Sequence, residues 1–257
     1  MNRLAVELQP LIALALGQGG VVFLRVAAVI AVLPAFGERT VPVRVKLMLA
    51  LMFTAIVAPA VGPVTALDGP GKTVLVVVCE TVIGLAIGLA IRLFVLALQT
   101  AGSIAAQSSS LAQLLGGAAA EPIPAMGYVL AVAGLALAVM SGLHVEVARL
   151  LIRSYDLFPA GRFPAAGPMA DWGVVRVAQA FGLAFTLAVP FVIASVIYNL
   201  TLGVINRAMP QLMVAFVGAP VITFGGLFLL LVASPTLLAV WNNALFAFLA
   251  NPGAGAP

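Results

Sequence analysis

Charge is what this chain has least of. Of 257 residues, 8% are Asp, Glu, Lys or Arg, against about 25% in a soluble domain, so a water-facing surface cannot be covered. Cysteine is single. Cys79 stands in an apolar run, which excludes an intrachain disulfide and reads as a small buried hydrophobe. Histidine is single too, and the eight acidic residues are scattered along the chain. An enzyme needs a constellation of titratable groups. There is no HExxH, no pair of carboxylates on one helix face, no phosphate-cradling glycine loop and no GxSxG elbow. His144 and Glu146 are two apart and would point to different faces of a helix, so His144 reads as a helix-end residue and not as a metal ligand. The net charge of +4 comes without a basic patch interleaved with aromatics. That excludes nucleic-acid binding and fits basic loops against anionic lipid. No enzyme activity, cofactor or metal is expected.

Apolar residues supply the rest: 63% of the chain is hydrophobic, in runs long enough for helices of about 20 residues that cross a bilayer. The fold class predicted is all-α, a polytopic helical membrane protein built of long, kinked helical hairpins. Runs at 11–33, 47–67, 74–98, 128–143, 174–202 and 212–232 give six spans, and Ser234-Pro235 predicts a break before a short helix at 236–249. The segment HVEVARLLIRSYDLF (144–158) mixes apolar and charged residues in the manner of an interfacial helix. Pro159, Pro164 and Pro168 predict a loop ending at Asp171-Trp172, and NPGAGAP (251–257) a disordered tail. Basic residues divide six against four between the two sides of such a topology, too even to orient it.

One stretch interrupts the apolar pattern. QSSSLAQLLGGAAAEPIPAM, from Gln107 to Met126, is small and polar, with Ser108, Ser109, Ser110, Leu111, Gly116, Gly117, Glu121 and Pro122 in it. Glycine and proline weaken a helix, and irregular backbone at membrane depth survives only where protein buries it or a watery cavity adjoins it. It reads either as a mobile loop folded into an assembly or as a plain connection outside the membrane.

Arg25, Glu80 and Arg92 lie within apolar runs, where a charge needs a partner or a function. The structural reading is a buried pair, Arg25 with Glu80, fixing helix register; a proton relay would show several acids or histidines in series. Gly84 and Gly88 form a GxxxG that permits close approach of another helix.

Three separated segments carry a family resemblance. FLRVAAVIAVLPAFGERTVPVRVKLMLAL (23–51), SGLHVEVARLLIRSYDLFPAG (141–161) and INRAMPQLMVAFVGAPVITFGGLFLLL (205–231) resemble, in order, the signatures of the FliR family of flagellar biosynthesis proteins. The injectisome export component SctT is a close relative with the same pattern. The resemblance implies a single-copy subunit of the export gate in a type III secretion apparatus. Its implied partners are FliP-like and FliQ-like subunits around a closed pore, FlhB-like and FlhA-like components, and unfolded protein substrates. It implies a place in the bacterial inner membrane, at the flagellar basal body. It further implies a FliP-like part at 1–173, a FliQ-like hairpin at 174–250 turning at Asn206, Arg207 and Pro210, and a plug loop at 107–126. A small-solute secondary transporter is the reading from another class, with Pro190 and Pro220 breaking helices around a midplane site. Against it stand the lack of inverted repeats and of a polar cluster on those helices.

Overall fold

The computed structural model describes residues 2–62, 70–108, 125–209 and 214–253, with side chains from residue 17 onward except at 70, 108 and 214–220. The described residues form seven α-helices and no strand: α1 (Asn2–Val32), α2 (Val43–Val57), α3 (Pro70–Ser108), α4 (Ala125–Met140), α5 (Leu143–Leu157), α6 (Ala166–Ala208) and α7 (Val214–Ala250). The sequence predicts six spans; among the residues described with side chains, four stretches are long and apolar enough to cross a membrane, at Val43–Ala60, Gly71–Gln107, Ala166–Ala208 and Val221–Ala250. A fifth arises if α4 and α5 together make one broken span. The protein is a polytopic all-α membrane protein.

Several boundaries differ from expectation for local reasons. α7 runs straight through Ser234-Pro235. Pro235 cannot donate to the carbonyl four residues back, and the Ser234 hydroxyl donates to that same carbonyl, of Leu231, at 3.2 Å. α6 begins at Ala166 and continues through Pro190, so Pro168, Asp171 and Trp172 are helical. The apolar face of α5 packs inside protein, with Leu143, Val147, Leu150, Leu151, Ser154 and Tyr155 all buried. Of the tail at 251–257, residues 251–253 are held in place, for Pro252 O accepts from Trp172 Nε1 at 3.0 Å.

The described chain forms two compact units, here treated separately. The first takes Met1–Leu93, Gly142–Val177 and Phe246–Pro257. In it α1 ends in a tight turn, with Ala35 at φ 68 and Gly37 N donating to Leu33 O at 2.6 Å. A Cβ at Gly37 would stand 2.7 Å from the carbonyls of Ile30 and Ala31, so only glycine fits. Lys46 Nζ then donates to Gly37 O at 2.8 Å. These contacts are the physical content of the P-A-F-G and V-P-V-R-V-K segments. The second unit takes Phe94–Ser141 and Ala178–Leu245. Its centre is Trp241, fully buried, whose Nε1 donates to Phe94 O at 2.7 Å.

Candidate functional site

In the first unit the apolar face of α1 is Val21, Val22, Val26, Val29 and Ile30, all buried, at the spacing of one helical stripe. Arg25 sits in that stripe, with no exposed surface. A charge there is costly unless it is paired and hydrogen-bonded. Its Nε donates to Glu80 Oε2 at 2.7 Å and its Nη2 to Glu80 Oε1 at 3.2 Å, the two-pronged geometry that suits guanidinium and carboxylate. Glu80, on α3, is equally unexposed.

The remaining valences go to α5 and the turn after it. Arg25 Nη1 donates to Ser154 Oγ at 3.0 Å and Nη2 also donates to Phe158 O at 2.9 Å. Gly161 N donates to Glu80 Oε1 at 3.0 Å. The guanidinium carbon lies 3.7 Å from the centre of the Tyr155 ring, within cation–π range. A cation therefore meets the C-terminal end of α5, where helix carbonyls are unsatisfied and the dipole is negative. Gly161 has φ 70, and a Cβ on it would press Val76 Cγ2 at 3.1 Å; both favour glycine in this turn. One ion pair thus joins α1, α3, α5 and the turn at 158–161.

The GxxxG of α3 lies on the same interface. A Cβ at Gly84 would stand 2.5 Å from Arg25 O and 2.8 Å from Ala28 Cβ. At Gly88 it would overlap Val32 Cγ2 and stand 3.1 Å from Val29 O. The glycines bring α3 onto the backbone of α1 at Arg25 itself, and the partner of its side chain, Glu80, lies one turn before Gly84 on α3. Arg92 is half-buried farther along α3.

A second cation belongs to this unit. Arg176 on α6 is buried, with its guanidinium carbon 5.8 Å from the Trp172 ring and 5.5 Å from the Phe248 ring. Arg153 Nη1 donates to Ala250 O at 2.8 Å. Sequence reasoning placed neither contact, because each joins residues some 70 to 100 positions apart or depends on a backbone carbonyl. The same holds for Ser154, Tyr155, Phe158 and Gly161 around Arg25.

In the second unit the ends of α3 and α4 frame the small-residue stretch. Gln107 is exposed in the last turn of α3, and Ser108 is its final residue. Ser109, Ser110, Leu111, Gly116, Gly117, Glu121 and Pro122 lie outside the described residues, and Ala125 and Met126 open α4. Of the stretch 107–126, Gln107, Ser108, Ala125 and Met126 are helical, where a loop is expected. Asn206 and Arg207 are exposed in the last turn of α6, and Pro210 lies outside the described residues. Among the described residues there is no group of three or more His, Cys, Asp or Glu able to hold a metal. The geometry offers packing, charge neutralisation and a framed connection.

The model of the family described as "Bacterial export proteins, family 1" matches residues 16–248. The Flagellar biosynthetic protein FliR of Caulobacter vibrioides is 33% identical over 250 residues, covering 95% of this chain and 96% of its own. That of Escherichia coli is 30% identical over 237 residues, covering 89% and 88%. That of Bacillus subtilis is 24% identical over 229 residues, covering 86% and 88%.

Proposed function

The chain belongs to family 1 of the bacterial export proteins, and from that premise we propose that it is the single-copy gate subunit of a flagellar type III protein secretion apparatus. With FliP-like and FliQ-like subunits it closes a pore for unfolded flagellar substrates, beside FlhB-like and FlhA-like components, in the bacterial inner membrane at the basal body. Residues 1–173 are the FliP-like part, 174–250 the FliQ-like hairpin, and 107–126 carry the seal. The chain performs no covalent chemistry. The observation that carries this reading is similarity along nearly the whole chain to relatives named FliR. Their flagellar names favour the flagellum over the injectisome. The continuity of α6 through Pro190 speaks against a solute transporter with helices broken at midplane.

The test is ion conductance of the complex purified with its FliP-like and FliQ-like partners and reconstituted into liposomes. Removing residues 110–120 leaves assembly intact and raises the leak. A deletion complex that assembles and stays as tight as wild type would make the stretch a plain connection.

A further inference from the structure

α3 has two faces. One carries Ile83, Gly84, Ile87 and Gly88, all buried, and its glycines rest on α1. The other carries Val78, Val82, Leu85, Leu89, Arg92 and Leu96, at alternating steps of four and three residues. Val78, Val82, Leu89 and Leu96 are exposed, and Leu85 and Arg92 are half-buried. That alternation is the period of a seam along which side chains meet one facing helix. Arg92 is the one charge among these six. Unlike Arg25, it makes no hydrogen bond, ion pair or ring contact among the described residues. Two of the acids are already engaged, Glu80 by Arg25 and Glu146 by Arg149.

A guanidinium on an apolar helix face needs an anion or water against it. Within the apolar stretch Gly71–Gln107, Arg92 lies about 32 Å from one end and about 23 Å from the other at 1.5 Å per residue, too far to snorkel out of either. A bilayer edge drawn at Arg92 would supply phosphate. Yet Leu89 stands one turn before it and Leu96 one turn after, both apolar and exposed, so this face marks no boundary there. We infer that the outward face of α3 seats a helix of a neighbouring subunit, and that Arg92 takes a carboxylate carried by that helix. This rests on the reading of the chain as one subunit of a hetero-oligomeric gate. Apolar side chains alone let two helices slip by a repeat, whereas a single polar position in a seam sets register and partner. A carboxylate suits the two-pronged geometry of the guanidinium. Arg92 thus does between chains what Arg25 does within this one.

Arg92→Leu, Arg92→Lys and Arg92→Glu are prepared in the full chain, with Lys72→Leu, an exposed charge at the start of the same helix, as the control. Three quantities are measured on each: thermal unfolding of the isolated chain in detergent, recovery of FliP-like and FliQ-like subunits on the tagged chain, and phosphatidylglycerol retained per complex. The isolated Arg92→Leu chain should unfold at the wild-type temperature or above, since nothing described within the chain depends on the charge. Partner recovery should fall several-fold in Arg92→Leu, less in Arg92→Lys and most in Arg92→Glu, while Lys72→Leu matches wild type. A photo-cross-linking benzoylphenylalanine in place of Leu89 should give an adduct with a partner chain. Unchanged recovery in all three Arg92 variants, with wild type bringing down its partners, would overturn the inference and leave the gate reading standing. So would loss of phosphatidylglycerol in place of partners, which would make a lipid phosphate the anion. Destabilisation of the isolated Arg92→Leu chain would put the anion inside this chain and overturn it too. A wild-type chain that recovers neither partner would sink the gate reading and this inference with it.

Discussion

Arg25 and Glu80 are tolerable at zero exposure because nearly every valence is met: four donor contacts from one guanidinium, and a backbone N–H on the carboxylate. Removing one partner of such a pair strands the other charge, which costs about 3–5 kcal/mol, whereas replacing both with apolar residues is often close to neutral. Arg25→Ala and Glu80→Ala should each lower the temperature at which the detergent-solubilised protein unfolds. The double variant Arg25→Met with Glu80→Leu should recover most of the loss. Ser154→Ala removes one hydrogen bond to a charged group and should cost less, about 1.5–3 kcal/mol. Thermal unfolding of the four variants decides it, and additive single losses in the double variant would mean that the two charges do not act as a unit. The sequence made both charges visible, since a lone ion in an apolar run stands out. It hid the rest of the knot. Phe158 O and Gly161 N are backbone groups, and Ser154 and Tyr155 look like ordinary residues of an amphipathic segment.

At the level of the helix, the glycines sort by what a methyl would strike. Gly84 and Gly88 press on α1 of the same chain, so the GxxxG is first a folding contact within the subunit. Gly84→Leu with Gly88→Leu should cost at least the 1–3 kcal/mol typical of overpacking and lower the yield of folded chain before any partner is added. Gly203 on α6 meets nothing within 4 Å, and Gly203→Ala should raise the unfolding temperature slightly, since alanine is the better helix former. Size-exclusion recovery and thermal unfolding of the isolated subunit would show both effects; equal behaviour of the two sites would place the GxxxG face against lipid. Helix existence and type were legible from the apolar runs. Ends were not. Gln107 and Ser108 read as loop because they are polar, yet α3 runs on to Ser108, and Gly102 packs against Gly127 of α4. Ser234-Pro235 reads as a stop, yet the serine hydroxyl takes up the carbonyl that the proline frees.

For the whole chain, helix length is set against membrane thickness. α6 has 43 residues, about 65 Å at 1.5 Å per residue, while the hydrocarbon core is about 30 Å thick. Its exposed apolar side chains run from Val174 to Val204, about 45 Å along a straight axis. Lipid alone could cover that span only at a tilt near 48°, beyond the roughly 0–40° that membrane helices adopt. Leaving the excess in water would expose Val174, Phe181, Leu200 and Val204 in a patch that soluble surfaces avoid. Partner protein is the cover that the proposed assembly would supply, and hydropathy then reads spans without resolving a topology, because apolar length reports burial in lipid and burial in partners alike. A single-cysteine scan along 166–208, probed with an impermeant maleimide, should therefore give two different patterns. In the subunit reconstituted alone, protection should cover about 20 consecutive residues, as a bilayer dictates. In the complex proposed with FliP-like and FliQ-like partners, protection should extend toward Val174 and Val204, because partner helices would replace water there. A protected stretch that does not lengthen on assembly would mean that the membrane covers α6 by itself and that this helix is not an assembly surface.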